Sequence, residues 1–238
     1  PVVHDGEIPI IAIVCTLLTA AGFYFSLGLG SQWWLIWLAP IPVLWLAYGE
    51  SRPWVALAAA WAAFALGTTS LLRAYAGIVP VPVLVFWPIV PGLLFALAVL
   101  GSRQARRTLG PIPTVLTFAA LWTAFDLLIS LVGTAGSVGS PATAEIAAPV
   151  LAQSAALAGF CGVTFLIGAV AAGLALGLRT RSAPPVILAV ALFAANAAYG
   201  YWRMSAPATA MERVALIDGD DTMGPHQKPD EKAELPAV

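Results

Sequence analysis

Charge is scarce in this chain. Only 10% of its 238 residues are Asp, Glu, Lys or Arg, where a soluble domain carries about 25%. Sixty per cent are hydrophobic, and the mean hydropathy is +0.89. A soluble core of this length has no room for so much apolar surface, whereas a bilayer does. The net charge of −1 comes with no basic patch, which removes nucleic acid from the partners to consider. Cysteine is equally sparse. Cys15 and Cys161 both fall within apolar segments and form no metal-binding or redox spacing, so they read as small core residues. No basic stretch precedes the first apolar run. Residues 1–8 are polar and slightly acidic, so a cleaved signal peptide is not expected. The first residue is Pro1 rather than Met, the expectation being a processed, trimmed or partial chain. No internal repeat or low-complexity tract stands out.

What is present is a series of apolar runs. A membrane-crossing helix needs roughly 20 apolar residues in succession. Spans are predicted near 9–28, 32–48, 54–75, 80–101, 112–132, 149–178 and 184–202, giving an all-α polytopic membrane protein with about seven transmembrane helices. Pro53, Pro111, Pro113, Pro184 and Pro185 fall at span starts, where a missing backbone donor costs nothing. Pro80, Pro82, Pro88 and Pro91 crowd the start of the fourth span and predict a kinked or irregular entry. The second span is short and holds Pro40 and Pro42; with the first it is expected to form a tight hairpin.

The few basic residues are unevenly placed. Arg52 lies in the second gap, Arg103, Arg106 and Arg107 in the fourth, and Arg179 and Arg181 in the sixth. The first and fifth gaps have no Lys or Arg, and the third has only Arg73. Lys and Arg in short loops stay on the cytoplasmic side. The even gaps and the N-terminus are therefore expected in the cytoplasm, and after seven crossings the tail emerges on the opposite face.

Trp33, Trp34, Trp37, Trp54, Tyr201 and Trp202 fall near span ends. An aromatic belt at the lipid interface explains them; a lipid-binding wall is the sharper alternative. In the sixth span Ala169, Gly173 and Gly177 recur every four residues and mark a face for close helix packing.

Four residues are candidates for a lipid- or substrate-facing site: Asp126, Arg73, Trp122 and Glu145. Asp126 is the one acidic residue deep in a span, where a bare carboxylate costs several kcal/mol. It reads either as a polar anchor between helices or as part of a substrate pocket. Arg73 is the basic residue of that half of the membrane. It either pairs with Asp126 or Glu145 or snorkels to the headgroups. The fifth gap, 133–148, is rich in Gly and Ser and is expected to be a flexible linker.

Beyond residue 205 the composition turns polar. Val214 to Ile217 is a short apolar run of the kind that forms a buried strand. One strand cannot make a domain, so the chain is expected to stop just inside a second one. Asp218, Asp220 and Asp221 lack the later Gly and Glu of a calcium loop, and no metal or cofactor is expected.

Several segments together resemble the bacterial apolipoprotein N-acyltransferases. Leu38-Ala39-Pro40-Ile41-Pro42-Val43-Leu44-Trp45-Leu46 is similar to the family's second span. Leu121 to Leu128 resembles its Trp-x-x-x-Glu-Trp segment, with Asp126 where the family has Glu. Pro149 to Ala155, continuing through Gly159 to Leu166, resembles its sixth-span run, and Val214 to Asp220 the first strand of its nitrilase-like domain. The resemblance covers most of residues 20–221. It implies a membrane domain at 1–205, followed at 206–238 by a linker and the truncated start of an α/β nitrilase-like (carbon-nitrogen hydrolase) domain. It further implies a multi-pass protein of the bacterial inner (plasma) membrane, with its tail periplasmic or extracellular. The partners implied are a phospholipid acyl donor and a lipoprotein whose N-terminal Cys amine accepts the chain. The family works through a Glu-Lys-Cys triad and a thioester. No triad member maps onto this chain: Cys15 and Cys161 lie in spans, and Lys228 and Lys232 come too early. Asp218 also stands where the family has Gln, and Pro229 follows Lys228 where it has Trp. The chain by itself is thus expected to be inert. The alternatives are a non-catalytic membrane anchor or divergent member, or a small transporter.

Overall fold

The computed structural model describes residues 8–28, 32–50, 52–75, 81–133 and 136–205. Nearly all of them are helical, and no strand occurs among the described residues. The tail from 206 onward, with its expected strand and second domain, lies outside them.

The chain forms ten α-helices and one 3-10 helix in the described regions. They are α1 (Ile8–Ser26), α2 (Leu35–Leu38), α3 (Ile41–Gly49), α4 (Pro53–Gly67), α5 (Thr69–Tyr75), α6 (Val81–Thr108), α7 (Pro111–Val132), the 3-10 helix (Pro141–Ala147), α8 (Pro149–Ala152), α9 (Ala155–Thr180) and α10 (Ala183–Ser205). Proline opens α3, α4, α7, the 3-10 helix and α8 within their first two positions. This follows the expected logic: the ring presets φ and sacrifices a donor that has no helical partner.

Six helical segments are long and apolar enough to cross a membrane: Pro9–Ser26, Pro53–Leu72, Pro88–Thr108, Pro111–Val132, Ala155–Thr180 and Ala183–Ser205. The expected second span is the exception. Leu35–Gly49 is shorter, and the chain turns at Ala39 and Pro40 between α2 and α3. Fifteen residues rise about 22 Å, less than the ~30 Å of a hydrocarbon core. Pro40 and Pro42 together deny the helix two donors and set the break.

The fourth span also differs from expectation. α6 runs as one helix of 28 residues through Pro88 and Pro91. It ends at Thr108, so Arg103, Arg106 and Arg107 are carried on its last turns rather than in a loop. Arg179 likewise lies in the last turn of α9. Gly110 then takes φ +94°, a conformation that an L side chain rarely adopts, and turns the chain directly into α7.

The core is aromatic at one level and made of small residues at another. Phe23 of α1, Phe64 of α4, Phe95 of α6, and Phe118 and Trp122 of α7 meet with ring centroids 4.9 to 6.1 Å apart, mostly edge to face. Such pairs each add about 0.5–1.5 kcal/mol beyond area burial. Along α9, Gly168 lies against Ala119 and Trp122 of α7, while Gly173 and Gly177 lie against Pro185, Val186 and Ala189 of α10. The small-residue face therefore brings α9 close to α10, as its spacing predicts.

The arginine-bearing turns share one end of the bundle. The Arg103 guanidinium donates to the Glu50 carbonyl at 3.0 and 3.3 Å, joining the ends of α6 and α3. Arg179 lies over the Trp45 ring, 4.4 Å from its centre, joining α9 to the same place. At the other end Trp37 of α2 meets Glu145 of the 3-10 helix. The α2–α3 segment thus connects the two ends despite its break.

Candidate functional site

The fifth gap is where local sequence pattern and structure diverge most usefully. Residues 136–139 form a turn, and the 3-10 helix that follows is packed into the bundle rather than hanging from it. Ser140, Pro141, Ala144 and Glu145 are all buried. Two carboxylates hold this segment.

The first is Asp126, six residues before the end of α7 and so about 9 Å below it. It is only 8% exposed. Its Oδ2 accepts from the Ser140 hydroxyl at 2.7 Å and from the Thr164 hydroxyl of α9 at 2.8 Å. Ser140 also accepts from the Ala142 backbone N–H at 3.3 Å, capping the 3-10 helix while it reaches Asp126. One oxygen thereby joins α7, α9 and the loop.

The second is Glu145, which has no exposed surface. Trp37 Nε1 donates to its Oε1 at 2.7 Å, while Oε2 has no hydrogen-bond partner among the described residues. Burial pushes this carboxyl up to about 7, against the pull of the Trp37 bond. Trp37, grouped with the interfacial aromatics on sequence, is instead a buried donor that also packs edge-on against Phe193 of α10 at 5.0 Å. Trp54, Tyr201 and Trp202 are exposed near helix ends, as the belt reading requires.

Asn196 of α10 adds a third tether. Its Nδ2 donates to the Leu151 carbonyl of α8 at 3.1 Å. Beside it Gly200 gives the Val150 carbonyl room that a Cβ would take away.

A cavity of about 30 Å³ lies next to Asp126, bounded by Trp122, Phe125, Thr68, Pro91, Gly139 and Ser140 among others. This is room for a water or two, not for a substrate. Trp122 is buried in the aromatic core and shows this cavity only an edge of its lining. Arg73 lies on α5; its side chain, and so the pairing with Asp126 or Glu145, lies outside the described residues. The larger hollow is elsewhere. An open groove of about 340 Å³ runs between α2, α9 and α10, walled by Trp33, Trp34, Trp37, Val170, Leu174 and Phe193. Its lining is almost wholly apolar.

Among the described residues no group of His, Cys, Asp and Glu could hold a metal ion. Cys15 is buried in α1 and Cys161 lies within α9. The sequence singled out Asp126 and Glu145 and missed their partners. Ser140 before Pro141 was a readable capping signal; Thr164 and Trp37 are visible only once the helices are placed.

The chain matches no protein-family model, and no curated protein is similar enough to count as a relative. Its chemistry must be read from the site itself. The apolar helices make it a multi-pass membrane protein in character.

Proposed function

We propose that the chain is the membrane domain of an apolipoprotein N-acyltransferase-like protein of a bacterial inner membrane. In this reading the arginine-bearing end and the N-terminus face the cytoplasm. The tail from 206 leaves on the far side, and the α2–α3 segment makes the seventh crossing. The whole protein would move an acyl chain from a phospholipid to the N-terminal Cys amine of a lipoprotein.

One observation carries the proposal. Two of the four segments that carry the resemblance, 121–128 and 149–166, lie on packed elements and are joined by the bond from Thr164 to Asp126. Polar groups on neighbouring helices of an apolar bundle pair wherever they can, and the bond supports the reading by joining these two runs in particular. The packed loop at 136–148 would then form a fixed platform at the end where the tail emerges. The apolar groove beside it gives acyl chains a place to lie. The transporter alternative has less support: the polar groups at Asp126, Ser140 and Thr164 are spent on one another, and the cavity beside them is small.

The test is acyl transfer. The open reading frame that encodes these residues, expressed whole, should N-acylate a diacylated lipopeptide with phospholipid as donor. Residues 1–238 alone should bind the lipopeptide in detergent without acylating it. If the whole product binds no lipopeptide and transfers nothing, the acyltransferase reading fails and the membrane-anchor reading takes its place.

A further inference from the structure

Positive charge in alternate gaps is sufficient to orient a membrane protein, but orientation does not require the charges to converge or to be half-buried. Here they do both. The end of α3 packs between the ends of α6 and α9. The Arg179 side chain lies against Gly49, where a Cβ would collide with its guanidinium, and over the Trp45 ring. Arg106 stands on α6 one turn beyond Arg103, which reaches the Glu50 carbonyl, while Arg179 lies against neighbouring Gly49, and Arg106 is partly buried. Neighbouring Arg103 is already engaged with the Glu50 carbonyl. Glu50 is the one acid of this end in the described residues and is itself engaged. No carboxylate pairs with Arg106 or Arg179 among the described residues.

Two guanidinium groups in range of each other repel, and the repulsion grows as water is excluded. The C-terminal carbonyls of α3, α6 and α9 offset part of it, but the N-termini of α4, α7 and α10 open at the same end and restore the positive field. A planar guanidinium is built for bidentate contact with an oxyanion, and a pair of them clamps a phosphate. The half-buried Trp45 ring beneath Arg179 supplies an apolar surface of the kind that meets the glycerol region of a lipid.

We propose that Arg106 and Arg179, beside Trp45, form a binding site for an anionic phosphodiester, with the headgroup of an anionic phospholipid in the arginine-side leaflet as its natural source. The site lies at the end opposite Asp126 and Glu145 and does not depend on the acyl-transfer reading.

The test places residues 1–238 in nanodiscs of phosphatidylcholine alone, of phosphatidylcholine with phosphatidylglycerol, and of phosphatidylcholine with added inorganic phosphate. Thermal unfolding and the lipids retained in native mass spectrometry are read together. Phosphatidylglycerol should raise Tm in a saturable way and be retained in preference. Arg106→Gln/Arg179→Gln should weaken its apparent affinity roughly ten- to a hundredfold, the effect of losing charge-assisted hydrogen bonds. Gly49→Ala removes no charge but displaces the Arg179 guanidinium and should weaken it in the same direction. Arg107→Gln/Arg181→Gln removes the same charge from exposed positions and should leave the affinity within a few-fold. A saturable rise with inorganic phosphate, abolished in Arg106→Gln/Arg179→Gln, would uphold the site and transfer its source from lipid to solution. Equal losses in the two double variants would reduce the effect to diffuse attraction by the surface and overturn the proposal, as would no rise with either anion.

Discussion

Asp126 is one residue that ties three segments together, and its variants separate shape from charge. Asp126→Asn keeps the size and an accepting oxygen for Ser140 and Thr164. Asp126→Leu leaves both hydroxyls without that acceptor in the bundle. Thermal unfolding in detergent should find the Asn variant close to the parent and the Leu variant lower by about 1–2 kcal/mol. An unchanged Leu variant would mean that the bonds at 2.7 and 2.8 Å contribute nothing net. Glu145 gives a second residue-scale expectation, this one in pH. Its carboxyl is raised from 4.5 to about 7 in the folded protein. Between those values the folded state holds a proton that the unfolded state has released, so stability falls as pH rises through that window and levels off above it. Tm measured from about pH 4.5 to 8 should decline in the parent, and Glu145→Gln should flatten that decline. A slope unchanged by the substitution would place the dependence on another group. Asp126 was legible in the sequence as an acid too deep in a span to be ordinary, and Glu145 only as a possible partner of Arg73. Their roles were not, because the donors Thr164 and Trp37 lie 38 and 108 residues away along the chain.

At the scale of the element, α9 is the clearest case of a sequence dictating local form. Two helical stretches meet at a kink within it, where Ala158 and Gly159 leave helical geometry, Gly159 at φ +62° and ψ −162°. Only glycine occupies that region at little cost. Nothing lies within 4 Å of where a Cβ would be. Gly159→Ala therefore meets no clash, and its whole penalty, about 1–3 kcal/mol, is conformational. An Ala variant with an unchanged Tm in detergent would show that the bend relaxes into a straight helix without loss. The bend turns the first residues of α9 toward α8 and lets the helix that carries Thr164 pass Asp126. Helix ends, proline starts and the small-residue face were readable because each depends on neighbours within a turn or two. The gap that holds the 3-10 helix reads as a linker on sequence because the Gly and Ser of residues 133–140 favour loops locally, while its burial depends on a carboxylate in another helix. The break between α2 and α3 shortens a span that apolar length alone counts as ordinary.

For the whole molecule, the pattern of arginines reads out in one geometric fact: the helix ends bearing Arg103 and Arg179 meet around the end of α3. A reporter active only outside the cytoplasm should be silent after Arg107 and active after Val238. The opposite result would overturn the proposed orientation, and activity at both points would remove one of the three crossings between them, by α7, α9 or α10. The fold class was open to reading because lipid imposes it through composition and length. What a sequence of this kind conceals is which polar residues pair, since in an apolar background any of a few candidates satisfies the same local pattern.

The bond between Asp126 and Thr164 also sets a timetable. During synthesis α7 emerges from the ribosome while its partner is still 38 residues from being made. At about 5–20 residues per second this is a wait of roughly 2–8 s. A lone carboxylate at the centre of a helix entering lipid is penalised by about 2.5–3.5 kcal/mol on the insertion scale, and one six residues from the end, like Asp126, by less. The remaining apolar residues of α7 can carry that load, but not indefinitely without exchange back toward water. α7 is thus best held beside the insertion machinery until the 136–148 segment and α9 arrive, so that the three are released to the bilayer as a unit. Lengthening the loop between them would extend the wait without touching a single contact of the finished protein.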